Sequence, residues 1–203
     1  MASSYWYPLD AELVLASRSP RRAVILEMAG IPFLQDPSSV EETAMEGGPG
    51  DVVAHWARAK ALDVAPRYHR NPVLGGDTMV AVEDEILGKP AHRREAAEML
   101  HRLSGSWHSV YGGACILWPE QGLDVSVVER TRVLFRTLSE EEIAAYVDTG
   151  EPMDKAGAYG IQGRGGAFVA SMRGSYSAVV GLPLDITASL LADAGLPVWD
   201  YWN

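Results

Sequence analysis

Two long strand-like segments constrain the fold more than any other feature of the chain. Trp107 to Trp118 and Leu123 to Phe135 are separated by four turn-forming residues, 119–122, and the second segment shows period-two apolar patterning. This pattern predicts a β-hairpin, whose strands run antiparallel. Because helical and strand patterns are interleaved elsewhere, the sequence predicts an α/β protein with a mixed sheet. We expect one domain over residues 1–203, with two lobes around a central cleft.

The remaining elements follow from periodicity and end signals. The first helix, Pro20 to Ala29, is predicted to bury Val24, Ile25 and Met28. Further helices are predicted over Asp51 to Pro66, Arg93 to Leu103, Ser139 to Tyr146 and Pro183 to Ala194, and further strands over Leu13 to Ala16, Ile31 to Leu34, Val73 to Val82 and Ala167 to Met172. Val179-Val180 is predicted to form a turn.

The first strand of the chain runs into a segment with the features of an anion site. After Leu13 to Ala16, the helical pattern begins at Pro20, a residue favoured at the first position of a helix. Ser19 then falls at the N-cap, where free backbone N–H groups can bind an anion. Arg21 and Arg22 in the first turn are electrostatically unfavourable unless an anion such as phosphate fills the site. The alternative is a well-capped helix whose arginines are solvated.

Composition and charge argue against several classes of protein. Hydrophobic residues make up 47% of the 203 residues, enough for a packed core, and the formal net charge of −10 disfavours a nucleic-acid-binding surface. No apolar run approaches the roughly 20 residues that span a bilayer, and Met1 to Asp10 do not resemble a signal peptide. The single cysteine, Cys115, cannot form an internal disulfide. We therefore expect a soluble cytoplasmic protein without nucleic-acid or membrane partners.

Lysine is rare in this chain relative to arginine. Fourteen arginines are accompanied by three lysines, Lys60, Lys89 and Lys155. A lysine retained against this bias indicates a position that needs a compact ammonium group rather than a planar guanidinium. All three lie in segments with other signs of function, although chance retention is the alternative. We expect the charge of an anionic ligand to be met by such placed cations or by a metal.

Two sets of carboxylates are candidates for catalysis or metal binding. Asp77 interrupts an apolar strand pattern, where a buried carboxylate is costly unless it is paired or bound to a metal. The preceding Gly75-Gly76 leaves space for the close approach of a ligand. Glu41 and Glu42 lie in a polar loop and are placed to supply a second carboxylate for Mg²⁺, which prefers oxygen ligands. The alternatives are a capping aspartate and a solvated glutamate pair.

A glycine-rich segment, 150–163, carries single polar residues between its glycines. Glycines let a backbone approach a ligand closely, and the amide of Gln162 can read the edge of a base because it both donates and accepts hydrogen bonds. A flexible loop is the alternative, although the tyrosine, isoleucine and methionine in the segment are unusual for one. The sequence contains no His-Glu-x-x-His, Gly-x-Ser-x-Gly or dinucleotide-binding motif. These absences argue against the classes of enzyme that the motifs identify.

Five segments together resemble the Maf family of nucleoside triphosphate pyrophosphatases, in the family's order along nearly the whole chain. They are Leu15 to Arg22, Gly76 to Thr78, Ile86 to Pro90, Gly150 to Gly163, and Gly174 to Tyr176 with Val179 to Leu184. The resemblance implies a mixed α/β fold with a cleft, shared with inosine triphosphate pyrophosphatases. It also implies hydrolysis of a nucleoside triphosphate between the α- and β-phosphates, with Mg²⁺ or Mn²⁺, by a homodimer.

The resemblance further implies roles for individual residues. Asp77 matches the family's proton acceptor, and the other catalytic positions matched are Arg22, Glu42, Lys60 and Lys89. The positions that distinguish substrates are Arg21, Thr78 and Gln162. From the residues themselves we expect Ser17, Ser19 and Lys155 to bind substrate, the two serines at its phosphate tail. The expected metal ligands are Glu42 and Asp77.

The stretch from Ala158 to Gln162 resembles the branch of the family that acts on dTTP and UTP. We therefore expect hydrolysis of these nucleotides, and of modified pyrimidine nucleotides, to the monophosphate and pyrophosphate. One alternative is the branch that acts on methylguanosine triphosphate, which lacks this stretch. Another is a non-enzymatic nucleotide-binding regulator of septum formation. One departure from the family is Gly76, where alanine is more usual.

Overall fold

The computed structural model describes residues 13–202 of the chain. The strands are β1 (Leu13–Leu15), β2 (Phe33–Gln35), β3 (Val73–Val82), β4 (Glu85–Leu87), β5 (Trp107–Trp118), β6 (Leu123–Phe135) and β7 (Val169–Arg173). The helices are α1 (Pro20–Met28), α2 (Pro49–Val64), α3 (Arg93–Leu103), α4 (Glu140–Asp148), α5 (Tyr176–Val180) and α6 (Leu184–Asp193). Within residues 13–202, no helix has both the length and the apolar character needed to cross a bilayer. The prediction that Met1 to Asp10 are not a signal peptide falls on residues outside those described.

The seven described strands form one mixed sheet in the order β2-β1-β3-β5-β6-β7, with β4 also paired to β3. β1 lies parallel to β2 and β3, whereas β3, β5, β6 and β7 are antiparallel neighbours. The predicted hairpin is confirmed, since β5 and β6 pair along their length from Trp107–Leu134 to Trp118–Leu123. The mixed α/β class predicted from the sequence is therefore correct.

A gap along one edge of β3 positions a cleft. β1 pairs with this edge at Val73 and Leu74, and β4 pairs with it at Val80 to Val82. Among the described strands, none covers residues 75–79 on this edge. The carboxyl end of β1 opens into the gap, and ligands of open α/β sheets bind outside the carboxyl ends of the strands.

Two apolar clusters cover one face of the sheet, on either side of the cleft. Leu74 and Val80 point to this face together, since they lie six residues apart on one strand. Leu74 packs in a cluster with α1 and α6, whereas Val80 packs in a second cluster with α3 and α4. α2 packs against the opposite face, where Cys115 is buried. The two clusters thus lie on the same face of one sheet, on either side of the gap in β3.

The predicted buried face of α1 is wrong in two positions. Val24 is 40% exposed and Met28 is 80% exposed, whereas Ala23, Ile25 and Leu26 are buried. The helix carries apolar residues around most of its circumference, so its own periodicity does not select a face. Packing against the cluster that contains Leu26 and Ile25 selects it instead.

The segment predicted as a turn at Val179-Val180 is the end of the short helix α5. The Ser175 side chain caps this helix by accepting a hydrogen bond from the Ala178 N–H at 3.3 Å. α5 lies directly on the sheet, because a Cβ at Gly112 of β5 would approach the Ala178 Cβ to 3.0 Å. This close packing brings the carbonyl of Gly181, the residue after α5, to the cleft.

Candidate active site

A cleft of about 590 Å³ opens at the carboxyl end of β1, between the two apolar clusters. Its walls come from the start of α1, the loop before α2, α2 itself, β3, the glycine-rich segment after α4 and the end of α5. All the residues predicted to act in catalysis, substrate binding or metal binding line it: Ser17, Ser19, Arg21, Arg22, Glu42, Lys60, Asp77, Thr78, Lys89, Lys155 and Gln162. The fold therefore gathers into one cleft residues that lie in separate segments of the sequence.

The cleft is rich in cations although the chain as a whole is acidic. Six cationic side chains line it against four carboxylates, whereas the formal net charge of the chain is −10. The cations are Arg18, Arg21, Arg22, Lys60, Lys89 and Lys155, so all three lysines of the chain are among them. A concave surface of this charge favours a small polyanion.

The ammonium group of Lys60 joins the two carboxylates expected to act in catalysis. Lys60 Nζ lies 2.7 Å from Asp77 Oδ1 and 2.5 Å from Glu42 Oε1. Lys60 and Asp77 are buried, at 9% and 5% exposure, whereas the Glu42 side chain is nearly half exposed. One cation thus holds a deep and a shallow carboxylate close to one another.

The two carboxylates are perturbed in opposite directions. Burial raises the pKa of Asp77, against the lowering effect of the Lys60 and Arg22 charges. Burial also acts to raise the pKa of Glu42, but the hydrogen bond and charge of Lys60, with the charge of Lys89, outweigh it and lower that pKa. Asp77 therefore takes up a proton more readily than an ordinary aspartate, which suits a group that accepts a proton near neutral pH.

One oxygen of Asp77 is left without a partner. Asp77 Oδ2 is buried and accepts no hydrogen bond from any described residue. Such an atom is costly unless a ligand, water or cation engages it. Residues 13–202 contain no group of three or more His, Cys, Asp or Glu side chains that could hold a metal. Asp77 and Glu42 nevertheless fit Mg²⁺, which is commonly held by one or two carboxylates plus waters and substrate phosphates.

The space beside the two glycines before Asp77 is occupied by the protein itself rather than by a ligand. A Cβ at Gly75 would collide with the Ala57 carbonyl oxygen of α2, and a Cβ at Gly76 would lie 3.0 Å from Arg22 Nε. The prediction that Gly75-Gly76 leaves space for a ligand is therefore wrong. The missing side chains let α2 and Arg22 press against β3, and this contact brings Lys60 within reach of Asp77.

Arg22 is a buried part of the cleft wall, held at three points. Its Nε donates to the Gly181 carbonyl at 2.8 Å, its Nη1 to Ser17 Oγ at 2.9 Å and its Nη2 to Thr78 Oγ1 at 3.3 Å. The Thr78 hydroxyl also donates to the Gly181 carbonyl at 3.2 Å. Burial lowers the pKa of Arg22, partly offset by the Asp77 charge. A guanidinium fixed in this way presents its charge to the cleft in a single orientation.

Ser19 is the N-cap residue of α1, as predicted, but its side chain makes no capping hydrogen bond. Its backbone N–H donates to Ser17 Oγ at 3.2 Å, so Ser17 braces both the turn and Arg22. Ser19 and the first residues of α1 line the cleft, and no side chain caps this helix end, which suits an anion site.

Comparison of the sequence with known proteins identifies the family of this chain. A sequence model of the family described as Maf-like protein matches residues 12–194. The chain belongs to the Maf-like protein family. It is 48% identical over 189 residues to the dTTP/UTP pyrophosphatase of Symbiobacterium thermophilum, covering 93% of this chain and 96% of the relative. It is 49% identical over 174 residues to the dTTP/UTP pyrophosphatase of Bacillus anthracis, covering 85% of this chain and 90% of the relative. The family predicted from the sequence is confirmed.

In this Maf-like protein, Arg21 and Lys155 are joined by a carboxylate that sequence reasoning missed. Asp154 Oδ2 lies 3.8 Å from Arg21 Nη1, and Asp154 Oδ1 accepts a 2.6 Å hydrogen bond from Lys155 Nζ. Lys155 Nζ also donates to the Glu151 carbonyl at 2.8 Å. Asp154 thus links the first turn of α1 to the glycine-rich segment. Its sequence signal is weak, since an acid beside a lysine is common on protein surfaces.

The apolar back of the Maf-like cleft contains a second feature that the sequence did not reveal. Tyr159 lines the cleft, and its hydroxyl lies 2.8 Å from His108 Nε2 on β5. Burial lowers the pKa of His108 to about 4, so its ring is neutral at pH 7. Both rings pack edge-on against Phe135. A lone histidine in an apolar strand pattern gives no indication of such a contact.

Proposed function

We propose that this protein hydrolyses dTTP and UTP between the α- and β-phosphates, giving the nucleoside monophosphate and pyrophosphate. The observation that carries the proposal is the Asp77–Lys60–Glu42 cluster in a cation-rich cleft. The names of relatives that are 48% and 49% identical over most of the chain support the choice of dTTP and UTP.

In this mechanism Asp77 is the general base. Its unpartnered Oδ2 accepts a proton from a water molecule, whose oxygen attacks the α-phosphorus. The bond from that phosphorus to the bridging oxygen breaks, and pyrophosphate leaves with the bonding electrons. Lys60 holds the other oxygen of Asp77, so the base keeps one orientation while it takes the proton.

The cations of the cleft stabilise the charge that develops on the phosphates. Arg22, fixed at three points, and Lys60 lie in the wall, and Lys89 approaches from the turn after β4. Preorganised charges of this kind usually supply the largest part of catalysis in phosphoryl transfer. The N-terminus of α1, with Ser17 and Ser19, holds the phosphate tail.

A divalent metal completes the proposed site. Glu42 and Asp77 would hold Mg²⁺ or Mn²⁺, with the remaining positions taken by water and phosphate oxygens. When bound, the metal would neutralise phosphate charge and lower the pKa of a coordinated water.

We assign the base-reading role to Gln162, and a role in substrate discrimination to Thr78 and Arg21, which line the same cleft. Gln162 is exposed and lines the cleft, and its amide has no hydrogen-bond partner among residues 13–202. A free amide can pair with a base edge through one donor and one acceptor. We further propose that the chain acts as one domain, in a cytoplasmic homodimer that does not bind nucleic acid.

A panel of nucleoside triphosphates tests the proposed activity. Purified protein with Mg²⁺ should release pyrophosphate from dTTP and UTP faster than from ATP, GTP, CTP or methylguanosine triphosphate. Preference for methylguanosine triphosphate would place the chain in the other branch of the family. Nucleotide binding without pyrophosphate release from any of these compounds would contradict the enzymatic function and favour a binding regulator.

A substitution of Lys89 by arginine tests the role of the cleft lysines. Lys89 is exposed, lies between a glycine and a proline, and forms no ion pair with a described residue, so its ammonium is available to phosphate. Because the larger planar guanidinium places its charge differently, Lys89→Arg should lower kcat roughly tenfold or more. The reverse exchange at an exposed site outside the cleft, Arg70→Lys, should leave kcat unchanged. Equal rates for Lys89→Arg and wild type would mean that the scarcity of lysine carries no information.

A further inference from the structure

The glycine-rich segment that carries Gln162 folds around one carboxylate, that of Glu151. Glu151 Oε2 accepts from the Arg164 N–H at 3.1 Å, and Oε1 accepts from the Gly165 N–H at 3.3 Å. The side chain is 14% exposed, and it belongs to a short 3₁₀ turn directly after α4. A single acid therefore binds the backbone on the C-terminal side of Gln162.

A buried tyrosine binds the backbone on the other side of Gln162. The Tyr146 hydroxyl donates to Glu151 Oε1 at 3.0 Å and accepts from the Gly160 N–H at 3.2 Å. Tyr146 is 4% exposed and lies on α4, within the apolar cluster that contains Phe168. The turn is thereby fixed at both ends to a helix of the core.

The glycines of this turn are required by the same contacts. A Cβ at Gly163 would collide with the Glu151 carboxylate, and a Cβ at Gly165 would lie 2.7 Å from the Tyr146 hydroxyl oxygen. The backbone can wrap the carboxylate this tightly because these positions have no side chains. The turn also closes on itself through the Gly163 N–H and the Gly160 carbonyl, and Ile161 packs on both apolar clusters. Glu151 and Tyr146 supply the side-chain hydrogen bonds that fix its backbone on both sides of Gln162.

The negative charge of Glu151 strengthens its hydrogen bonds to the turn. Burial acts to raise the pKa of Glu151, but the N–H groups of Arg164 and Gly165 and the Tyr146 hydroxyl outweigh it, and the pKa is lowered. The carboxylate is therefore ionised at neutral pH, and hydrogen bonds to an ionised acceptor are about twice as strong as neutral ones.

We propose that Glu151 is a positioning residue for base recognition, which acts by fixing the turn that presents Gln162 to the nucleobase. This inference rests on the proposed function. It separates the cleft into two parts: a phosphate wall that includes Arg22 and Lys60, and a base wall held by Glu151. The contribution of Gln162 to discrimination between bases then depends on Glu151, while binding of the phosphate chain does not.

Glu151→Gln tests this separation. The glutamine amide would turn an NH₂ group toward N–H donors, so the turn should loosen. We expect the ratio of kcat/KM for UTP over GTP to fall roughly tenfold, mainly through a higher KM for UTP. Inorganic tripolyphosphate, which lacks a base, should inhibit the variant and the wild type with the same constant. The matched control Glu120→Gln, at an exposed site in the β5–β6 turn, should change neither quantity.

A double-mutant cycle distinguishes positioning from a general loss of structure. If Glu151 acts through Gln162, then Glu151→Gln should not lower the ratio further in a Gln162→Ala background. An additive loss, an unchanged ratio in Glu151→Gln alone, or equally weakened tripolyphosphate inhibition would each overturn the proposal. If Glu151→Gln does not fold, as judged by circular dichroism, Tyr146→Phe is subjected to the same criteria. A wild-type protein that releases no pyrophosphate would instead refute the proposed function.

Discussion

Replacing Asp77 with asparagine is expected to lower kcat for dTTP and UTP by roughly 10²- to 10⁴-fold, the usual contribution of a general base. Asparagine keeps the shape of the side chain and an oxygen that can accept from Lys60 Nζ, which lies 2.7 Å from Asp77 Oδ1. It cannot accept a proton at neutral pH. The loss should therefore appear in kcat, with little change in the melting temperature of the protein.

The pH profile and a control substitution complete this test. Because burial raises the pKa of Asp77, wild-type kcat should decline on the acid side of the profile as this carboxylate becomes protonated. Residual activity of Asp77→Asn should lack this limb. Asp84→Asn, at an exposed turn position with φ +70° that asparagine also tolerates, should behave as wild type. A near-wild-type rate for Asp77→Asn would refute its role as the base.

Replacing Gly75 with alanine should destabilise the protein strongly, although the change adds only one methyl group. Its Cβ would collide with the Ala57 carbonyl oxygen and lie 2.9 Å from the Ala61 backbone nitrogen, so helix α2 would have to move away from β3. Backbone atoms cannot rotate aside as a side chain does, and overpacking of this kind costs about 3 kcal/mol or more. For a chain of this size we expect the melting temperature to fall by roughly 6 to 12 °C.

The same displacement should also reduce activity, because α2 carries Lys60. Thermal unfolding and pyrophosphate release are measured side by side, with Gly88→Ala as the control for stability. No atom lies within 4 Å of a Cβ built at Gly88. The free energy of unfolding of this variant should therefore lie within about 0.5 kcal/mol of the wild-type value. If Gly75→Ala melts with the wild type, the close contact between α2 and β3 does not exist in solution.

The sequence predicts elements well where local rules determine them. The hairpin strands β5 and β6 and helix α3 have the predicted bounds, because period-two patterning and the turn at 119–122 define the hairpin and strong periodicity defines the helix. The capping box of Ser139 and Glu142 is also present. The sequence misplaces Val24 and Met28 because the face of α1 is selected by tertiary packing, about which a short apolar helix says little.

The candidate site was also predictable only in part from the sequence. Motif positions indicate the lining residues, and the structure gathers them in one cleft. The contacts between them are not predictable, since the Gly181 carbonyl that holds Arg22 and the α2 backbone that fills Gly75 depend on how distant segments pack. The Gly75-Gly76 pair suggests space for a ligand when only the sequence is known, because a missing side chain does not reveal what occupies its place.

The bond between Arg22 and the Gly181 carbonyl joins positions 159 residues apart, and this separation has a consequence for biosynthesis. At synthesis rates of about 5 to 20 residues per second, roughly 10 to 30 seconds pass between the appearance of the guanidinium and that of its acceptor. During this interval the start of α1, which carries Arg22, exists without the hydrogen bond that orients the guanidinium. A chain that stops before residue 181 carries nearly all the chemical groups of the site and still lacks its finished geometry.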